Sequence, residues 1–299
     1  MTHKVTDESL EKFRSEIVKA AENLQVATLS LRSLYVVNSS SVESFVKLRQ
    51  KITNEAKVYS TTVLPVSNDL IRTIRSFFDD YRYVNINKYN FKDYLNYFTR
   101  EANDVVDVCK LTLELNKSIL VEFKKSEDEV IRVLDQLEPE TKIYEQKKKE
   151  LIKSSDVRLK WAIGLALVPV VNVIAGPILY IKSNKDIISA TAESEEKLLT
   201  VAAAEAIKGP LIMSITNLVS AFNYISGLFI ALADELTKLE DDESIAMHYK
   251  IVENKRAVIV EACDTFFSKV PDAETNLQAI PDDYDKNYVE EWRSKRSPI

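Results

Sequence analysis

Glycine is almost missing from this chain, with four in 299 residues, against about 7% in an average protein. Tight turns and β-hairpins draw on glycine, so its scarcity argues for long helices joined by few connections. Histidine is scarcer still. His3 and His248 are the only two, which leaves imidazole metal sites and catalytic triads poorly supplied. The two cysteines, Cys109 and Cys263, exclude a disulfide framework and leave two choices, a pair of ordinary buried thiols or one bridge.

The motifs of common chemistry are absent too. No G-x-G-x-x-G, P-loop, H-E-x-x-H or G-x-S-x-G occurs. The acidic pairs Asp79-Asp80, Asp241-Asp242 and Asp282-Asp283 stand where helices end or loops begin, as solvated turns do. Neither an enzyme nor a cofactor site is expected. A net charge of −6 and a pI near 5.3 argue against nucleic acid as a partner. The opening MTHKVTDESLEKF has no basic stretch followed by an apolar one. The expectation is a cytoplasmic protein, or one released without a conventional signal peptide.

Helical periodicity fills most of the chain. Leu10, Phe13, Ile17, Ala20, Leu24, Ala27, Leu31 and Leu34 keep a 3-4 spacing, the seam of a coiled coil or bundle helix. Thr6 is a candidate N-cap before Asp7 and Glu8. A second helix is expected over 42–63, with Phe45, Leu48, Ile52 and Ala56 on one face, interrupted at Pro65. Residues 93–138 continue the pattern without glycine or proline; at 1.5 Å per residue that is roughly 70 Å of helix. A compact globule of this length has a radius of gyration of only about 19 Å, so the molecule should be rod-like. Pro139 marks a kink before a polar helix rich in lysine. Gly209-Pro210 should end the helix before it. A last long helix is expected over 243–270. Tyr284, Tyr288 and Trp292, at i, i+4 and i+8, predict a short C-terminal helix docking by its aromatic edge.

One stretch breaks this polar rhythm. Residues 161–181, WAIGLALVPVVNVIAGPILYI, carry no charge in a chain that is 29% charged, and reach the roughly 20 apolar residues of a membrane span. Yet Gly164, Pro169, Gly176 and Pro177 lie inside it, and a proline costs a straight helix about 3 kcal/mol or more. The β-branched Ile163, Val168, Val170, Val171, Val173, Ile174, Ile178 and Ile181 fit a hairpin or a bent helix pair equally well. With Trp161, Leu165, Leu167, Leu179 and Tyr180 they form a candidate membrane-inserting set. Lys153, Arg158, Lys160, Lys182 and Lys185 flank it as candidate headgroup contacts. A second uncharged run, 211–233, carries Ser214, Asn217, Ser220 and Asn223 in a polar line and is read as a bundle helix rather than a span.

The pattern resembles the α-helical pore-forming toxins, the cytolysin A and haemolysin BL family with its two-component relatives. The resemblance covers most of the chain: about 300 residues, long bundle helices, and one hydrophobic tongue past the midpoint with long helices after it. Val173-Ile174-Ala175-Gly176-Pro177-Ile178-Leu179 is similar to the Ala-Gly-Pro core of the cytolysin A tongue, although this run leans on Val and Ile. The resemblance implies an all-α fold, an elongated antiparallel bundle of residues 1–160 and 184–299, with 161–183 as the inserted tongue or helical-hairpin head. It implies a water-soluble form whose tongue enters a target membrane on oligomerisation, with itself or with a second toxin component. It also implies that Cys263 matches that toxin's C-terminal cysteine and Cys109 its partner. The rivals are a two-span membrane protein and a structural helical scaffold.

Overall fold

The computed structural model describes residues 4–35, 42–86, 91–154 and 192–296. All regular structure among them is helical, which establishes the all-α class. Thr6 opens α1 (Asp7–Ser33) with a reciprocal cap. Its hydroxyl accepts from the Ser9 amide at 3.1 Å, and Ser9 Oγ accepts from the Thr6 amide at 2.9 Å, satisfying two of the helix's orphan donors. The whole 3-4 seam from Leu10 to Leu34 is buried.

The prolines do not end helices as the sequence suggests. Between α2 (Glu43–Val58) and α3 (Leu64–Ile86) the chain passes through a π-helical turn, Tyr59–Val63. Gly209-Pro210 lies in a second one, Ile207–Leu211, between α7 (Ala192–Ala206) and α8 (Ile212–Thr237). A π turn shifts the hydrogen-bond register by one residue. The rod continues through both prolines. Helix α9 (Asp242–Gln278) likewise runs past the expected end, with Pro271 in its interior. Its last turns are tied down because Asn276 accepts from Arg32 Nη1 at 3.1 Å and donates to Thr28 Oγ1 at 3.4 Å.

The expected single helix over 93–138 is instead two. A short 3₁₀ turn, Phe91–Tyr94, leads into α4 (Leu95–Lys124), and Lys125-Ser126 separates it from α5 (Glu127–Gln136). Charge favours that break. Lys124 ends one helix while Glu127, Asp128 and Glu129 begin the next, each on the side its helix dipole prefers. Lys51 Nζ caps the Lys125 carbonyl at 2.6 Å. The kink at Pro139 is present at Leu137, where α5 gives way to α6 (Glu138–Ser154).

Cross-links between helices fix their directions. Tyr224 donates to the Ser9 carbonyl and Asn217 to Asn23, so α8 runs antiparallel to α1. Asn116 of α4 donates to Ser67 of α3 at 3.3 Å, while Lys51 of α2 pairs with Glu129 of α5. The α2–α3 and α4–α5 rods therefore form one long antiparallel hairpin. Arg75 pairs with Asp264 at 2.7 Å, and Tyr81 meets His248, so α9 opposes α3. Glu11–Lys255 and Arg32–Asn276 show that α1 and α9 run parallel. The expected antiparallel bundle thus holds for every other neighbouring pair of rods named here. Five rods cannot alternate round a closed ring without one parallel pair.

The same pairings place both π turns and Pro271 near the level where α1 ends. Below that level α1, α3, α4 and α8 share a core of Phe13, Phe77, Phe78, Phe98 and Phe229. Their successive ring centroids are 5.3–6.1 Å apart, within the range of favourable aromatic packing. Above it, α2 packs on α5 and on the C-terminal helix α10 (Lys286–Ser294), while α7 packs on α5 and α6.

Candidate functional site

Residues 155–191 connect α6 to α7, and these two helices pack on one another. Ala202, Ala203, Ala204 and Ala206 are buried on α7, which packs on α5 and α1 as well as on α6. Tyr144 of α6 is buried nearby, and burial together with the Glu205 and Glu145 charges pushes its phenol pKa up. The α6–α7 pair belongs to the upper part of the rod, whereas the turn joining α8 to α9 closes the lower end.

The inserting set from Trp161 to Ile181, the bends Gly164, Pro169, Gly176 and Pro177, and the cations Arg158, Lys160, Lys182 and Lys185 lie outside the described residues. Lys153 falls in the last turn of α6. The second uncharged run is a bundle helix, as its polar line suggests. Ile215, Leu218, Phe222, Ile225 and Phe229 are buried, while Asn217, Ser220 and Asn223 are exposed; Ser214, the first of the polar line, is instead buried and donates to the Leu211 carbonyl at 2.9 Å. The continuous helix Glu196–Thr237 is long and apolar enough to cross a membrane, yet 61% of its most apolar window is buried in the bundle.

The cysteine bridge is not present. Cys109 and Cys263 are free and buried, each in a different part of the packing, Cys109 in α4 and Cys263 in α9. Helix α4 packs chiefly on α8 and α3, and α9 on α1 and α3, so the two cysteine helices are not principal neighbours. Burial pushes the Cys109 thiol up to about 12 and raises Cys263 as well, with Asp264 adding to the second shift. Neither is a reactive thiolate.

The predicted C-terminal helix is present, but it begins at Lys286, so Tyr284 lies before it; Val289 and Trp292 are its buried residues, and Tyr288 is half-buried. Its seat has chemistry the sequence did not announce. Pro65 lacks the N–H that would reach the Thr61 carbonyl in an α-helix. Arg293 Nη2 takes that carbonyl at 3.4 Å, while its Nε donates to Thr62 Oγ1 at 3.3 Å. The Asp285 amide donates to Asn54 Oδ1 at 2.9 Å, and Lys57 pairs with Asp282 at 2.8 Å. Beneath the helix lies Glu55 of α2, only 4% exposed, with Oε2 lacking any hydrogen-bond partner. Burial raises its carboxyl to about 7, against the weaker pull of Lys51 and Lys125 and with the Glu122 charge adding to the rise. Tyr288 of α10 lies against that carboxyl, and burial plus the Glu55 and Glu122 charges raise its phenol. The one sequence signal was register. Glu55 falls on the face drawn by Leu48, Ile52 and Ala56.

At the lower end, His248 is 1% exposed and sits between Glu235 and Tyr81. The buried Tyr81 and His248 and the half-buried Glu235 tie three helices together. Among the described residues no group of three His, Cys, Asp or Glu side chains is placed to hold a metal ion.

Comparison with known protein families, with characterised proteins and with solved structures yields no match.

Proposed function

We propose that this chain is a pore-forming protein whose helical bundle carries residues 161–181 to a membrane and delivers them into it on oligomerisation. The observation that carries the reading is where this run sits in the chain. Twenty-one uncharged residues occupy the link between two helices that pack together in the upper part of a rod. The described residues have a continuous hydrophobic core of their own.

Each large apolar side chain taken out of water is worth about 1.5–3 kcal/mol. The set from Trp161 to Ile181 therefore stabilises whatever state buries it, in protein or in lipid. Lipid offers that burial without requiring a particular partner residue, so a modest bias moves the chain between states. In the bilayer, backbone groups freed at Pro169 and Pro177 need neighbours, and copies of the same chain, or a second component, supply them in a ring. Lys153, Arg158, Lys160, Lys182 and Lys185 would meet anionic headgroups on either side.

The test is release of dye from vesicles of phosphatidylcholine, cholesterol and an anionic lipid. Wild-type protein should release it, and Val171→Asp should fail while keeping its helical circular dichroism. Release by Val171→Asp at the wild-type rate counts against the reading. Equal inactivity of both proteins on every lipid mixture favours the scaffold.

A further inference from the structure

We infer that the C-terminal helix α10 is a latch on the α2–π-turn face, released when the Glu55 carboxyl beneath it loses its proton. This does not depend on the pore reading. The geometry is that of a lid with few fastenings. A nine-residue helix is too short to hold its shape in water alone. Its apolar anchors are Val289 and Trp292, and the Trp292 indole N–H is buried without an acceptor. The Lys57–Asp282 pair has its carboxylate 95% exposed, and such surface pairs hold little. Arg293 supplies the distinctive contact, donating to the Thr61 carbonyl and to Thr62 Oγ1 in the turn before Pro65.

Under this lid, Glu55 decides the balance. From α2 itself Lys51 faces it, but Lys51 is engaged by Glu129 and by the Lys125 carbonyl. From α4 come Glu122 and, at its end, Lys125, which are paired with each other at 2.9 Å. From α10 come the Tyr288 phenol and, farther out, Arg296, whose guanidinium stacks on Trp292. Both lysines already hold other partners. A neutral Glu55 fits the seat, whereas an ionised one puts a buried charge beside Glu122 with one oxygen unpartnered and only neutral donors at the other, which is costly. Opening the lid lets water solvate it.

The sign follows from linkage. The closed form holds the Glu55 proton more tightly than an open, hydrated form does. Closure is therefore fully favoured below the ordinary carboxylate range, weakens as pH rises from there, and reaches its minimum above about 7. The closed-to-open ratio should fall on the order of a hundredfold across that interval.

Hydrogen exchange read by mass spectrometry on the full chain, corrected for intrinsic rates, measures that ratio directly. Between pH 5 and pH 9, amides of α10 should lose about a hundredfold in protection while those of α3 and α9 keep theirs. Glu55→Gln, a neutral isostere, should keep α10 protected throughout. A second reading uses the two tryptophans: in Trp161→Phe, Trp292 alone reports, and its quenching by iodide should grow with pH only when Glu55 is present. An identical loss of protection in Glu55→Gln overturns the latch. So does constant protection in the wild type, or a simultaneous loss in α3 and α9.

Discussion

His248 Nδ1 lies 2.7 Å from Glu235 Oε1, and its Nε2 faces the Tyr81 hydroxyl at 3.3 Å. One buried imidazole thereby joins both arms of the α8–α9 hairpin to α3. Its ring also stacks near Phe91, with centroids 6.1 Å apart. Replacing it by alanine strips Tyr81, a fully buried side chain, of its partner. His248→Ala should cost about 2–4 kcal/mol from the unpaired hydroxyl and the space left behind. Urea unfolding followed by circular dichroism gives the number, and a loss below about 0.5 kcal/mol would remove His248 from this role.

Phe77 contacts Phe78, Tyr81, Phe98 and Phe229, so it is shared by α3, α4 and α8. Phe77→Ala should destabilise the whole bundle by about 3–5 kcal/mol. Trp292→Ala, in contrast, should leave the unfolding midpoint of the bundle close to wild type and loosen α10 alone. The pair separates the common core from the docked helix.

The heptad seam of α1, the helix over 211–233 and a short helix near the C-terminus were legible because each rests on spacing within one helix; the buried Ser214 and the start of α10 after Tyr284 were not. The π turns were not. Pro65 and Gly209-Pro210 read locally as stops, and only α1, α4 and α5 packing across them explains why the rods continue. Pro271 misleads in the same way, since Asn276 fixes the turn beyond it to a helix far away in sequence. Of the candidate site, the apolar run from Trp161 to Ile181 is plain in the sequence. Glu55 needed the fold, because a single carboxylate on an apolar stripe is distinguished from an exposed neighbour only by what covers it.

The two cysteines provide a further check on the packing. With both thiols buried and their pKa values raised by burial, the native protein should react with Ellman's reagent far more slowly than a peptide thiol at pH 8. Both should label in denaturant without prior reduction. Prompt labelling of either in the native state, or a need for reductant to expose two thiols, would contradict the arrangement.

Glu55 also makes a prediction for overall stability. Its pKa rises from the ordinary 4.5 to about 7 on folding, so the folded state binds the extra proton. That contribution is complete below about 4.5, lost progressively as pH rises, and gone above about 7. Glu55→Gln should therefore gain about 1–3 kcal/mol over wild type at pH 8 and almost nothing at pH 4. Urea midpoints at the two pH values give the comparison; a gain of equal size at both would show that ionisation is not involved.

The central claim concerns the 161–181 run, and an environment-sensitive fluorophore on Val171→Cys tests it most directly. Cys109 and Cys263, both buried, should stay unlabelled under native conditions. On adding vesicles of phosphatidylcholine, cholesterol and an anionic lipid, the account predicts a blue-shifted emission that quenchers fixed in the acyl chains extinguish. An emission left unchanged by every vesicle composition, and insensitive to those quenchers, would contradict it.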